Sequence, residues 1–593
     1  MLVQALAEYA DTYLADQLNE EAWEEKPVPY FIALDAGGTF LNVVPNNVSA
    51  VRGKKTVSVP ASLPVARSPV PRNAGLYPLL AADDIKYVLG AGPWTPKNQE
   101  ENNRERHEAF AALIRQAATE TDDEALQAAA AFYARPDQVE AARATLAAAK
   151  PGSILALALL NQPIVRRPAV RAYWSKLYAV AASGRVAQGG DAECLISGKI
   201  GPIAPTHEKI KGLASLGGQS SGVSLMSFDK EAFRSYGWEQ NANSPVAPDR
   251  AMAYVLALND LLRSDEKHRR DIPGVVGFLF WTKKPTKIDP MATVYQPRLE
   301  QVHSLLKLEE VEIDPNMFYM LGVAANGGRM LIRYWIAKTL AEVKKNVDDW
   351  HEALRVVDVF TGKPPAPPGV WQLLYAIERE GKPPSDRGVA LIRRAIEGPS
   401  QPLGYPMLAA ALSRLRAEPR KRRDATRAGF IRLCLNDNIR LRNKGERPME
   451  ESLDTGQKHE AYLCGRLMAV YESLQHKALG KVNQNVIDRY YVLASTYPEI
   501  AFPKLAILSK SHLRRLRPPH YGAMVRFSRD IDQLHSEIGE ASGRKYPKVF
   551  DIDGQGRFAL GYHHQHAYQF AQARAASENT EDQVSSETIQ ENS

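Results

Sequence analysis

The feature that most constrains this chain is the segment TGKPPAPPG (361–369), where the pattern of the sequence changes. Proline fixes its own φ and lacks an amide proton, so neither a helix nor a sheet runs through such a stretch. Upstream, short apolar runs and glycine turns alternate with helical stretches. Downstream, apolar residues recur at helical spacing through AYLCGRLMAVYESL (461–474) and VIDRYYVLAS (486–495). The segment therefore reads as a domain boundary. It separates a mixed α/β amino-terminal domain, residues 1–365, from an all-helical bundle, residues 366–573. The fold class is α+β. The Ser-, Glu-, Gln- and Asn-rich tail, 574–593, is expected to be disordered.

Within the first part, Tyr30–Leu34 and Leu41–Val44 read as strands joined at Ala36-Gly37-Gly38, a hairpin by its turn chemistry. A basic, Pro-rich stretch, 52–78, is expected to be weakly structured, and amphipathic helices follow over 83–149. Residues 194–245 are irregular and rich in Gly and Ser, and lead into a helix over 246–262. GVVGFLFW (274–281) reads as a buried strand, and FYMLGVAANGGRMLIRYW (318–335) as a hairpin turning at Asn326-Gly327-Gly328.

At 593 residues the chain exceeds one ordinary core, so two or three domains are expected. Its longest apolar runs, such as 154–160, fall well short of the roughly 20 residues that cross a bilayer. The amino terminus lacks a basic leader and carries Glu8, Asp11 and Asp16 on an amphipathic stretch, which argues against a signal peptide and for the cytoplasm. Cys194, Cys434 and Cys464 lie far apart without metal-ligand spacing and read as buried thiols. A net charge of +7 leaves room for a nucleic-acid partner.

Four stretches invite chemistry. FIALDAGGTF (31–40) resembles the first phosphate loop of the actin-like kinases, in which glycine amides hold phosphate and Asp35 would position magnesium. No second phosphate strand or adenosine site accompanies it, so a plain hairpin turn is favoured over a kinase built on Asp35–Thr39. His563, His564 and His566 are close enough to suggest a metal. No HExxH or HD pair joins them, aromatic residues flank them, and a packed helix face is favoured; no metal or cofactor is expected. His207 lacks a nucleophile and an orienting acid, which favours a loop hydrogen bond. In GLASLGGQSSGVSLMSF (212–228), repeated Gly and Ser let backbone amides and hydroxyls approach phosphate or base edges, with Lys209 and Lys211 adding charge. A tight structural loop is the alternative. Finally, RLRAEPRKRRDATR (414–427) and HLRRLRPPH (512–520) are basic. Such runs are usually solvated helix faces, but two of them near Tyr490, Tyr491 and Tyr521 suggest a single-strand track.

Taken in order, DDIKYVLG (83–90), RHEAF (106–110), the long block from Cys194 to Leu262, VAANGGRMLIRYW (323–335), AYLCGRLMAVYESLQHKALG (461–480), NQNVIDRYYVLAS (483–495) and GQGRFALGYHHQHAYQF (554–570) resemble one family. It is the large subunit of the type I-C CRISPR interference complex, Cascade. The resemblance covers most of the chain. It implies a non-catalytic protein in a ribonucleoprotein with CRISPR RNA and with backbone, guide-processing and small subunits. Guide pairing reads the target, while this subunit reads a short flanking motif on duplex DNA, helps open it and supports a recruited helicase-nuclease. On that scaffold, residue chemistry places Arg67, Arg72 and Asn73 of RSPVPRN (67–73) at the flanking motif. Lys54 and Lys55 would meet phosphate. Gln219, Ser220 and Ser221 would wedge or cradle the opened duplex, and Arg514, Arg515 and Arg517 would follow the displaced strand. The family also implies a small helical subunit translated from within the same message. Residues 444–448, Lys-Gly-Glu-Arg-Pro, permit a ribosome-binding sequence before Met449 and those before Met468 do not, so residues 449–593 are the expected product. The rivals are the kinase and a scaffold that binds proteins and little nucleic acid.

Overall fold

The computed structural model describes residues 2–590 apart from 21, 53–54, 70–71, 73–74, 147–151, 264–266, 299–315, 379–385, 419–422, 443, 481 and 517–519. Among these, the side chains at 19, 50–52, 55, 182–189 and 576–590 are also outside the description. The chain forms two compact units. The first comprises Met1–Ile210 and Ser224–Asp260, the second Lys211–Val223 and Leu261–Ser593. With 55% helix and 16% strand it is an α+β protein.

The first unit is built on a five-stranded sheet. Strands β1 (Trp23–Pro27), β2 (Tyr30–Leu34), β3 (Phe40–Pro45), β4 (Asn47–Arg52), β5 (Lys55–Pro60), β6 (Ser62–Ala66), β7 (Ala82–Asp84), β8 (Ile154–Leu159) and β9 (Gln162–Pro163) occur in its first half. The hairpin expected at 30–44 is β2–β3, and β2 also pairs in parallel with β8. The sheet order is β3-β2-β8-β7, with β9 folded back on β8. The apolar run ILALAL is thus an interior strand, buried from Leu155 onward, as its lack of alternation requires. Helices α1 (Leu2–Tyr13), α2 (Ala15–Asn19), α3 (Ile85–Val88), α4 (Glu100–Thr121), α5 (Glu124–Tyr133), α6 (Pro136–Thr145) and α7 (Pro168–Gly189) follow the helical periodicity. Asp123 starts α5 by accepting the amides of Ala125 and Leu126. Phe110, Ile114, Leu126 and Phe132 share one core with Ile32, Leu34, Leu155 and Leu157.

The stretch 52–78, expected to be weakly structured, instead carries β5 and β6. β5 pairs with β4 and β6 with β1, each in a two-stranded ribbon. Alternating Val57, Ser58 and Val59 are the strand signal, and the prolines at 60 and 64 are tolerated because each ribbon consists of edge strands. A further small hairpin, β10 (Asp191–Glu193) with β11 (Ile200–Pro202), precedes the Gly/Ser-rich region. Helix α8 (Pro248–Arg263) then leads into the second unit.

There β12 (Arg269–Ile272), β13 (Val276–Thr282), β14 (Met317–Asn326) and β15 (Arg329–Thr339) form an antiparallel meander, and the hairpin expected at 318–335 is β14–β15. Helices α9 (Pro290–Tyr295), α10 (Leu340–Leu354), α11 (Val370–Ile377), α12 (Asp386–Glu397), α13 (Gly404–Ala417) and α14 (Ala425–Arg442) share its core. Phe278, Phe280, Phe318 and Met320 pack in one cluster with Val347, Trp350, Leu391 and Leu433. Thr339 and Glu342 form a capping box that starts α10 directly from the end of β15. The Pro-rich segment 361–369 lies inside this unit, between α10 and α11. The remaining helices are α15 (Glu460–Leu479), α16 (Val486–Thr496), α17 (Pro498–Arg515), α18 (Tyr521–Ser542) and α19 (Ile552–Gln590). They supply a second core drawn entirely from residues between Ala461 and Tyr562. Helix α19 continues into the stretch read as a tail.

Candidate nucleic-acid interface

The Gly/Ser stretch is divided between the units, and its central part, Lys211–Val223, belongs to the second. There it lies along the β14–β15 turn. Gly218 bridges to Gly327, the Gln219 amide donates to the Gly327 carbonyl at 3.0 Å, and the Gly327 amide to the Gly217 carbonyl at 3.1 Å. Gly217 has φ +93°, and a Cβ there would strike the Ala325 carbonyl, so glycine is required for the close approach. The Gly222 amide donates to the Gln219 carbonyl at 3.1 Å, closing a turn whose tip is Ser220 and Ser221. Gln219, Ser220 and Ser221 are all exposed. The structure therefore brings these three predicted residues together beside Gly327 and Gly328; a Cβ on Gly328 would lie 3.5 Å from Gln219 Oε1. Lys211 is exposed at the start of the same segment.

In the first unit, three successive residues fasten the point where this segment departs. His207 Nδ1 lies 2.6 Å from the Tyr254 hydroxyl on α8, and burial pushes the imidazole down to about 4, leaving it neutral. Glu208 accepts Arg67 Nη1 at 3.2 Å. Lys209 donates from Nζ to Ser224 Oγ at 3.0 Å. Since the chain leaves this unit after Ile210 and re-enters it at Ser224, the Lys209–Ser224 bond joins the two ends of the departing segment. Sequence reasoning missed Glu208 and Ser224; no local pattern announces a partner 141 or 15 residues away.

The residues expected at the flanking motif are placed differently from one another. Arg67 is buried, holds Glu208, and its carbonyl accepts the Trp174 indole N–H at 3.2 Å. Arg72 makes a two-pronged contact with Asp83, both N–O distances being 2.8 Å, and lies 4.3 Å above the Tyr87 ring. Asp83 also accepts the amides of Leu79 and Asp84. Both guanidinium groups are engaged within the protein. Asn73 and Lys54 lie outside the described residues, and Lys55 opens β5, its side chain outside the description.

On the bundle, Arg514 and Arg515 are exposed in the last turn of α17, and Arg517 lies outside the described residues. Lys504 and Lys510 are also exposed on that helix, and among the described residues none of the four forms an ion pair. Lys510 stands four residues before Arg514 and Lys504 eleven before Arg515, and that helical spacing is the signal that finds the two lysines. Tyr497 and Tyr521 are exposed nearby in sequence, whereas Tyr491 is core, edge-on to Phe558 and Tyr562.

Residues 6–570 match the family model described as CRISPR-associated protein (Cas_Csd1). The chain belongs to this CRISPR-associated family. No curated protein matches it. Membership supports a Cascade large subunit with CRISPR RNA and other Cascade components as partners.

In this Cas_Csd1 chain the described arginines of the basic run 414–427 are engaged within the protein, while Arg420, Lys421 and Arg422 lie outside the described residues. Arg414 and Arg427 pair with Glu418, Arg416 bonds to Gln555, and Arg423 meets Glu472 at 2.8 Å. The three histidines of α19 diverge, as a packed helix face does. His563 Nε2 faces the Val357 carbonyl at 2.8 Å, His564 Nδ1 the Tyr462 hydroxyl at 3.0 Å, and His566 donates from Nε2 to Glu472 at 2.7 Å. Among the described residues no group of three candidate ligands converges on a metal position. The kinase reading has no support: Asp35 Oδ1 accepts the Thr39 amide at 2.7 Å and serves the β2–β3 turn. Among the described residues no helix is long and apolar enough to cross a membrane.

Proposed function

We propose that this Cas_Csd1 protein is the non-catalytic large subunit of a type I-C Cascade, working in the cytoplasm. It reads a short motif flanking the target in duplex DNA, starts strand separation so that guide RNA pairs with the target, and supports the helicase-nuclease that cuts. The observation that carries this reading is the exposed Gln219–Ser220–Ser221 turn clipped backbone to backbone onto the β14–β15 hairpin. A rigid tip with an amide and two hydroxyls suits insertion beside a separating base pair, because its geometry is fixed before DNA arrives.

The motif reader is the loop of residues 67–73, with Lys54 and Lys55 on phosphate. The displaced strand follows the cations of α17. Residues 449–593 also act as a free small subunit. The separate core of α15–α19 supports that division, since a fragment with its own core can fold alone.

The test is reconstitution of the complex with guide RNA and fluorescently reported target duplex. Gln219→Ala with Ser220→Ala and Ser221→Ala should leave assembly and duplex binding intact and slow strand opening at least tenfold. Equal opening by this variant, or by a complex lacking the subunit, would sink the reading.

A further inference from the structure

Tyr236 is 85% exposed and Trp238 53%, and Trp238 is the one exposed tryptophan among the described residues. They stand on either side of Gly237, at the tip of a loop fixed on both flanks. On one side, Phe228 and Phe233 meet edge to face at 5.2 Å, and the Gly237 amide returns to the Arg234 carbonyl at 2.9 Å. On the other, buried Asn241 donates its amide to the Pro205 carbonyl at 3.3 Å. Gly237 has φ +73°, a conformation that residues with a side chain rarely adopt.

The two ring centroids lie 6.1 Å apart with the planes tilted by 45°, so the rings do not stack on one another. A base entering at the ~3.4 Å rise of a nucleic-acid strand needs ring centroids about 7 Å apart. Taking up a base between them therefore requires the planes to turn parallel and the centroids to separate by about 1 Å. The neighbouring residues argue against an apolar protein anchor: Lys230, Glu231, Arg234, Ser235, Glu239 and Gln240 flank the pair in sequence and are exposed. Protein interfaces exclude charge from their centres, so such a rim would have to be desolvated, whereas a flat base with its phosphate in water leaves it wet.

We infer that Tyr236 and Trp238 form a clamp for one unpaired nucleobase. The inference rests on the reading that this chain holds nucleic acid, and adds a contact of a different kind from the phosphate contacts above. Two cations and two acids on the rim nearly cancel, so the clamp binds by stacking and contributes little to salt dependence. An exposed base could come from the guide RNA or from opened DNA.

The full-length chain is titrated with single-stranded DNA and, separately, RNA of one sequence carrying 2-aminopurine, whose fluorescence is quenched by stacking. Wild type should quench it. Tyr236→Ala and Trp238→Ala should each weaken binding roughly tenfold and lose the quench, while Trp238→Phe keeps both and the salt slope does not change. Preference for RNA or for DNA names the source, and either supports the clamp. Variants that bind and quench as wild type does overturn it while the reading of the chain as a nucleic-acid binder stands. Variants that bind normally but fail to join the other Cascade subunits also overturn it, assigning the rings to a protein contact. If neither the chain nor the assembled complex binds any strand, both ideas fall together.

Discussion

Lys209 donates a hydrogen bond of 3.0 Å to Ser224, and these two residues flank the segment that carries Gln219, Ser220 and Ser221. A lysine expected on sequence grounds to meet phosphate is thus occupied in closing a loop. The two roles predict different salt behaviour. Removing a phosphate contact reduces the slope of log K against log salt by about 1. Removing a strut leaves the slope alone and loosens the tip. Lys209→Met should therefore reduce strand opening in the assembled complex with an unchanged salt slope, and Ser224→Ala should do the same.

The Arg72–Asp83 pair predicts a cost in stability. Asp83 is buried, and burial raises its carboxyl while Arg72 and the amides of Leu79 and Asp84 oppose that rise. Breaking a buried pair leaves the surviving partners unsatisfied, a loss of about 3–5 kcal/mol. Asp83→Ala should lower the urea midpoint strongly. Arg72→Ala should lower it as well, because it leaves the buried Asp83 carboxylate without its counter-charge. Arg72→Lys should not restore the wild type, since an ammonium cannot make the two-pronged contact.

Much of the fold was legible in the chain. The two hairpins at 30–44 and 318–335 follow from turn chemistry, and the helical half from its periodicity. The parallel pairing of β2 with β8 was not, because it joins residues more than 120 positions apart with no local mark. Prolines at 60 and 64 hid β5 and β6, although the alternation of Val57 and Val59 was present. At the site, local composition located the Gln219 tip, since glycines needed for close backbone approach are visible in sequence. The partners of Arg67, Arg72 and Arg423 were not legible, because a sequence shows cations but not the acids, Glu208, Asp83 and Glu472, that engage them.

The α17 strip predicts pure electrostatics. Lys504, Lys510, Arg514 and Arg515 are exposed, and among the described residues unpaired, so replacing them leaves the fold within about 0.5 kcal/mol of wild type. Each cation in contact with a single strand adds about 0.7 to the salt slope. The quadruple alanine variant should lose up to about 3 units of slope on single-stranded DNA. An unchanged slope would remove α17 from the strand's path.

The pH dependence of stability follows from the interior of the bundle. Burial pushes His563 down to about 4, so the folded protein keeps it neutral where an unfolded histidine, near 6.5, takes a proton. The unfolded state then binds more protons between those values, and the stability this group supplies is complete above about 6.5 and lost as pH falls toward 4. His351 and His207, also held near 4 by burial, add to the same window. Glu472 acts lower. Burial opposes its charge, yet His566, Arg423 and the Tyr562 hydroxyl hold its carboxyl at about 2, so its contribution persists above about 4.5 and disappears as pH falls toward 2. Urea unfolding across pH should show two successive declines. His563→Gln should flatten the first by roughly 3 kcal/mol at most and leave the second, whereas Glu472→Gln should remove the second and lower stability at neutral pH, because Arg423 loses its partner.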